Sequence, residues 1–220
     1  MILLLGVAHV VDLKEKLTAA LKEFNPNAIA VELDPDRLQA LIEKAHGGNK
    51  GPLGRDIPFT MRLWAHMQDR LAAQLGDVPG SEMLLALDVA KDMKVPLVLI
   101  DDPIGSVAPR LISSLSPKER VLLLVSSVIA FITPSKVVKK ELDHYSESRE
   151  EYMQAMRDQF PTVARVLLDE RNIHMAERLK LLSKQFARIA VVIGDAHAAG
   201  IESLLKPDLE VQVNHLVGGK

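Results

Sequence analysis

Short apolar runs, separated by stretches of helical periodicity, constrain what this chain can fold into more than any other feature. A strand with one wet face alternates apolar and polar residues. A run that is apolar throughout needs cover on both faces, as parallel strands between two layers of helix have. Ile2 to Gly6 is such a run and ends in glycine. From Asp12 to Phe24 the residues Leu13, Leu17, Ala20, Leu21 and Phe24 recur at helical spacing, and Asn25-Pro26-Asn27 stops that helix. Ala28 to Leu33 is again apolar apart from Glu32, and Asp34-Pro35 sets an N-cap before a proline at the first helical position of a helix reaching about Ala45. This opening predicts a parallel strand pair joined by a right-handed crossover.

Gly and Pro crowd the segment from His46 to Pro58, which reads as a mobile loop and a candidate lid. Helix is expected from Phe59 to Leu75. After the Pro79-Gly80 turn, a second helix opens at Ser81-Glu82, runs to Met93 and feeds a strand from Pro96 to Asp101. From Pro103 to Arg188 the periodicity is helical, broken at Ser116-Pro117, Thr133-Pro134 and Phe160-Pro161, with no strand until Arg188 to Ile193. A short helix to Leu205 and a last edge strand from Glu210 to His215 complete the reading. The expected class is α/β, a mainly parallel central sheet with crossover helices and a helical insertion between about 103 and 187, the whole of 1–220 being a single domain.

Charge and composition exclude several function classes. Lys and Arg number 27 against 29 Asp and Glu, so the basic excess that phosphate-backbone binding uses is missing and no nucleic-acid partner is expected. Cysteine is absent, which removes disulfides and Cys-type zinc sites and leaves His and carboxylate as the strong metal ligands; a reducing, cytoplasmic location fits. Met1 to Leu5 lack the basic flank of a signal peptide. Val121 to Ile132 is interrupted by Ser126 and Ser127 and falls short of the roughly 18 residues that span a bilayer, so it reads as a buried helix. Membrane association is then expected only through segments outside this chain.

An apolar strand ends in Gly-x-x-His twice, at Gly6-Val7-Ala8-His9 and at Gly194-Asp195-Ala196-His197. Parallel sheets bind ligands beyond the carboxyl ends of their strands. The glycine permits a tight exit and close backbone approach, and the histidine presents an imidazole above the sheet edge. Either unit alone reads as a loop or capping histidine; the pair points to one shared crevice. Glu32 is costly inside an apolar strand unless paired or metal-bound. Asp34 reads as a helix cap, and Arg37 as a clamp on Glu32 or on an anionic substrate.

Two histidines and a glutamate form a ligand set for catalytic zinc or a related divalent ion, with a position left for water, so His9, Glu32 and His197 are the expected metal ligands. Metal-bound water is a nucleophile near neutral pH, and Glu82 is the candidate general base, although a carboxylate at a helix start equally serves the helix dipole. Asp195 has three readings: orienting a ring nitrogen, binding metal, or making a turn. Arg110 and Arg171 are candidates for stabilising an oxyanion or a substrate carboxylate, although their helical settings favour a solvated salt-bridge role. His46, His66, His144, His174 and His215 lack a strand-end setting and read as surface or partly buried residues. No P-loop, no Gly-x-Gly-x-x-Gly after the first strand and no Gly-x-Ser-x-Gly elbow occurs.

Taken in order, these residues resemble the TraB/PrgY/GumN family, which includes proteins linked to pheromone shutdown and the TIKI-type metal-dependent proteases. Gly6-Val7-Ala8-His9-Val10 looks like its opening motif, and Val31-Glu32-Leu33-Asp34 with Arg37 like its acidic strand end. Gly80-Ser81-Glu82-Met83 with Ala86 and Ala90, Leu99-Ile100-Asp101 with Arg110, Glu170-Arg171-Asn172 with Met175-Ala176, and Gly194-Asp195-Ala196-His197 with Gly200-Ile201 follow in family order. Asp102 stands where members often have arginine, and Val7 where threonine is more usual. The resemblance implies a fold like that of the erythromycin-esterase and haem-binding ChaN relatives. It implies a divalent-metal-dependent hydrolase of the TIKI type, with peptides or other small molecules as substrates and Mn, Co or Zn as the metal. A non-catalytic module that captures a peptide signal or haem, and the assembly domain of a longer membrane protein, stand as alternatives. Oligomer formation is left open.

Overall fold

The structure is a computed structural model and describes residues 1–7, 13–45, 80–132 and 148–216. A five-stranded sheet lies at its centre, with strands β1 (Ile2–Val7), β2 (Ala28–Val31), β3 (Leu97–Leu99), β4 (Ile189–Gly194) and β5 (Val211–Leu216) in the order β3-β2-β4-β1-β5. Every pairing is parallel. β1 to β4 fall on apolar runs and β5 on the expected edge strand, but the expected pairing of β1 with β2 does not occur. β4 lies between them, with Val191 opposite both Leu4 of β1 and Ala30 of β2. The crossover rule fixes the hand of a connection and leaves open what slots between its two strands. Residues Ile189 to Ile193 of β4 are completely buried, and such a strand takes the centre of a sheet.

Helices cover both faces. On one side Leu3, Leu5 and Val7 pack with Leu17, Leu21 and Phe24 of α1 (Leu13–Phe24) and with Met83, Ala86, Val89 and Ala90 of the helix Ser81–Met93. On the other, Ile2 and Leu4 pack with Met175 and Leu179 of the helix Glu170–Leu182 and with Ala198, Ile201 and Leu205 of the helix Asp195–Leu205. Alternate residues of one strand therefore feed two separate cores, which is why the run is apolar at every position. Among the described residues the helices are, in chain order, α1, α2 (Pro35–Ala45), α3 (Ser81–Met93), α4 (Ile104–Ser114), α5 (Pro117–Ile132), α6 (Arg149–Gln159), α7 (Pro161–Ala164), α8 (Glu170–Leu182) and α9 (Asp195–Leu205).

Among the described residues between β3 and β4 there is no strand, as expected for a helical insertion. Ser116 and Glu119 exchange bonds at the start of α5: the Glu119 N–H donates to Ser116 Oγ at 3.2 Å, and the Ser116 N–H to Glu119 Oε2 at 3.0 Å. The Thr162 N–H donates to Glu119 Oε1 at 2.7 Å, so one buried carboxylate joins the start of α5 to that of α7. Burial raises the Glu119 pKa, but the bonds from Ser116 and Thr162 outweigh it and bring it down to about 2. Residues Arg165–Asp169 form a π-helical turn, and the helical backbone at Ala164 and Glu170 carries α7 through that turn into α8.

One apolar helix differs from expectation. Val121, Leu124 and Val125 of α5 are 61%, 53% and 49% exposed, so this face of the helix is not buried. No helix among the described residues is long and apolar enough to cross a membrane. The candidate lid between His46 and Pro58, the expected helix Phe59 to Leu75, the Thr133-Pro134 break and His9, His46, His66 and His144 lie outside the described residues.

Candidate functional site

A parallel sheet gathers its carboxyl ends at one edge. Glu32 follows β2 directly rather than lying inside it, Asp101 lies just beyond β3, and Asp195 and His197 stand in the first turn of α9 after β4. Asp34 caps α2 as expected, Oδ1 accepting from the N–H groups of Asp36 at 2.9 Å and Arg37 at 3.0 Å. That cap starts the helix on which Arg37 sits. Its Nη1 donates to Asp101 Oδ2 at 2.6 Å, so the arginine clamps Asp101 and not Glu32.

Arg171 of α8 is the hub. Its Nε donates to Asp101 Oδ1 at 2.9 Å and Nη2 to Asp101 Oδ2 at 2.6 Å, a bidentate pair, while Nη2 also reaches Glu32 Oε1 at 2.5 Å. Nη1 donates to the Leu167 carbonyl at 3.1 Å, inside the π-helical turn, and lies 3.3 Å from His197 Nε2. The side chain is 13% exposed, so the solvated role that the sequence favoured does not hold. Burial alone would lower the Arg171 pKa, but Asp101 and Glu32 outweigh it and move it above the ordinary arginine value.

Glu32 is fully engaged. Its Oε1 meets Arg171 and lies 3.3 Å from His197 Nε2, and its Oε2 accepts the Gly194 N–H at 2.6 Å. Burial raises its pKa; His197 in its imidazolium form, Arg171 and the Gly194 N–H oppose it and leave the carboxyl well below the usual range. Gly194 stands close to this carboxylate, since a Cβ there would lie 3.2 Å from Glu32 Oε2.

His197 is buried, and its Nδ1 is 2.6 Å from Asn172 Oδ1. An amide oxygen only accepts, so Nδ1 carries the proton and Nε2 is turned toward Glu32 and Arg171. The sequence alone assigns no chemical role to Asn172 or Asp101. A signal for Asn172 was present: it heads the buried stripe Asn172, Met175, Ala176, Leu179, where a polar group needs a partner. Gly200 makes room for it, because a Cβ at that position would overlap the Asn172 amide.

The remaining candidates separate. Asp195 is buried and pairs with His215, Oδ1 to Nδ1 at 2.6 Å, rather than with His197. Gly6 lies against this pair, and a Cβ there would sit 2.7 Å from Asp195 Oδ1. Arg110 is exposed and bridges Asp102 at 3.2 Å and Glu170 at 3.3 Å, the surface role that its sequence setting favoured. Glu82 is half-buried in the first turn of α3, a helix on the sheet face opposite α8 and α9, and is not among the described groups that meet Arg171, Glu32 or His197.

Among the described residues, no group of at least 3 His, Cys, Asp or Glu side chains is placed to hold a metal ion. Of the expected ligands, Glu32 and His197 meet, with a guanidinium at their junction, and His9 lies outside the described residues. The described donors by themselves therefore do not fit a divalent cation. Arg171 already supplies positive charge where such an ion would stand, and both Glu32 oxygens are taken.

What the edge offers is a buried imidazole with one nitrogen fixed, beside an ionised carboxylate held by a buried arginine. The family model for TraB/PrgY/gumN matches residues 1–207. The uncharacterized protein MJ1365 of Methanocaldococcus jannaschii is 31% identical over 211 residues, which cover 93% of this chain and 53% of that protein. The matched span, the ordered motifs and the all-parallel α/β architecture agree, and the chain belongs to the TraB/PrgY/gumN family.

Proposed function

We propose that the chain is a hydrolase of acyl bonds, peptides among its substrates, with His197 as the residue that takes a proton from water. The observation that carries this reading is the Asn172 contact to His197 Nδ1, which fixes the ring so that Nε2 is its basic nitrogen. A water giving its proton to Nε2 leaves an imidazolium 3.3 Å from Glu32 Oε1. That carboxylate is already ionised and held in place by Arg171 and the Gly194 N–H. Asp101 and Arg37 complete the frame around Arg171, so the charges are in position before substrate arrives.

A second reading has support from the same imidazole. A histidine whose outer nitrogen is held by a polar partner, next to a carboxylate, suits a divalent ion such as Mn, Co or Zn, with His9 as the third ligand. It requires Glu32 to exchange Arg171 for the metal.

The test is turnover of an internally quenched peptide mixture by purified protein, with elemental analysis of the same sample. We expect His197→Ala to lower hydrolysis on the order of 10²–10⁴-fold and Asn172→Ala to lower it in the same direction. Stoichiometric metal that is lost in His9→Ala, together with chelator-sensitive turnover, would support the metal reading. Tight capture of peptide or haem without any cleavage would favour a binding module and end the hydrolase proposal.

A further inference from the structure

Acyl hydrolysis moves two protons: one leaves the attacking water, and one must reach the departing group. His197 and Asp195 share the first turn of α9 but meet different neighbours. His197 meets Asn172 and Glu32; Asp195 meets His215 of β5, across the end of β1. The Asp195 side chain is 1% exposed and the His215 side chain 33% exposed, so a buried carboxylate holds the inner nitrogen of a ring that reaches solvent. Gly6 lies directly against the pair, its would-be Cβ 2.7 Å from Asp195 Oδ1 and 3.3 Å from His215 Nδ1. Period-two alternation puts His215 on the sheet face of Val211 and Val213, the side that α9 covers. His215 is opposite Gly6, which is opposite Ile193. Two strand spacings, about 10 Å, therefore separate His215 from the end of β4 that leads to His197.

We propose that His215 is a second proton-transfer residue of this site, oriented by Asp195 as its positioning residue, and that it protonates the leaving group. The proposal rests on the hydrolase reading. A histidine of the outer surface needs no buried aspartate, and burying a carboxylate is unfavourable unless a partner compensates. The two rings share one arrangement, Nδ1 fixed by an oxygen, and differ in the partner's charge. An amide suits a ring that starts neutral and accepts; a carboxylate is the partner that can accompany a ring carrying both protons. In the step, water oxygen bonds to the acyl carbon and its proton goes to His197 Nε2. The bond to the leaving amine or alkoxide breaks as that atom takes the proton from His215 Nε2, and exchange with solvent resets both rings.

The deciding experiment compares two leaving groups. An amine must be protonated to depart, whereas 4-nitrophenolate leaves as the anion. Wild type, His197→Ala, His215→Gln and Asp195→Asn are assayed on the internally quenched peptide mixture and on 4-nitrophenyl acetate, with a thermal melt of each. His215→Gln should lower peptide cleavage on the order of 10²–10³-fold and ester cleavage at least about tenfold less. Asp195→Asn should show the same split, and the double variant should be no worse than His215→Gln alone. His197→Ala should lower both substrates alike. If His215→Gln does not fold, His215→Asn carries the same comparison. Equal losses on both substrates, or no loss on peptide, in a folded His215 variant overturn the proposal while leaving the hydrolase reading intact. A wild type that cleaves neither substrate overturns both.

Discussion

Arg171 joins groups far apart in the chain: Asp101, Glu32, the Leu167 carbonyl and the edge of His197. Removing it would take from Asp101 its bidentate partner and from Glu32 its guanidinium, leaving Arg37 and the Asp102 N–H on the one and the Gly194 N–H and His197 on the other. Arg171→Met is expected to destabilise the fold by about 3–5 kcal/mol, read from urea unfolding, because an orphaned buried charge costs far more than a lost contact. Arg171→Lys should recover only part of that, since an ammonium cannot make the bidentate contact to Asp101. The sequence identified Glu32 as a carboxylate that needs a partner, but the partner was legible only in three dimensions. Nothing in the spacing around Arg171 marks it as buried, whereas Asn172, heading an apolar stripe, was within reach of the same reasoning.

Element by element, most helices and strands were legible because apolar period and end signals agree there, as at the Asp34-Pro35 start of α2. The partners of a helix end were less so. Glu119 has its folded pKa near 2, below the 4.5 of an unfolded glutamate, so its contribution is present above pH 4.5 and is lost as pH falls from there toward 2. Glu119→Gln should lower stability at neutral pH by about 2 kcal/mol and flatten the acid limb across that window, seen in melting temperature against pH. Gly200 gives a test of opposite sign from the usual one. Alanine for glycine inside a helix ordinarily stabilises by about 1 kcal/mol. In α9 the added methyl would overlap Asn172, so Gly200→Ala should cost about 1–3 kcal/mol in denaturant unfolding and reduce turnover through His197.

At the scale of the whole molecule, the sheet brings together side chains from just beyond β2 and β3 and from α8, α9 and β5 because all five strands point one way. The identity of β1 to β4 was legible from apolar runs; strand order was not, since β4 comes from the far end of the sequence to separate β1 from β2. A fragment of residues 1–182 lacks that central strand and leaves edges of β1 and β2 unpaired. It should show no cooperative thermal transition by circular dichroism. One last consequence concerns Arg171 and Asn172, consecutive residues on α8 that meet the carboxylate and the imidazole respectively. Turning that helix by a single residue, about 100°, would strand both at once. The site therefore has no half-built form: a ligand or neighbour that rotated α8 from its outer surface would disarm the carboxylate and the ring together, without entering the cleft.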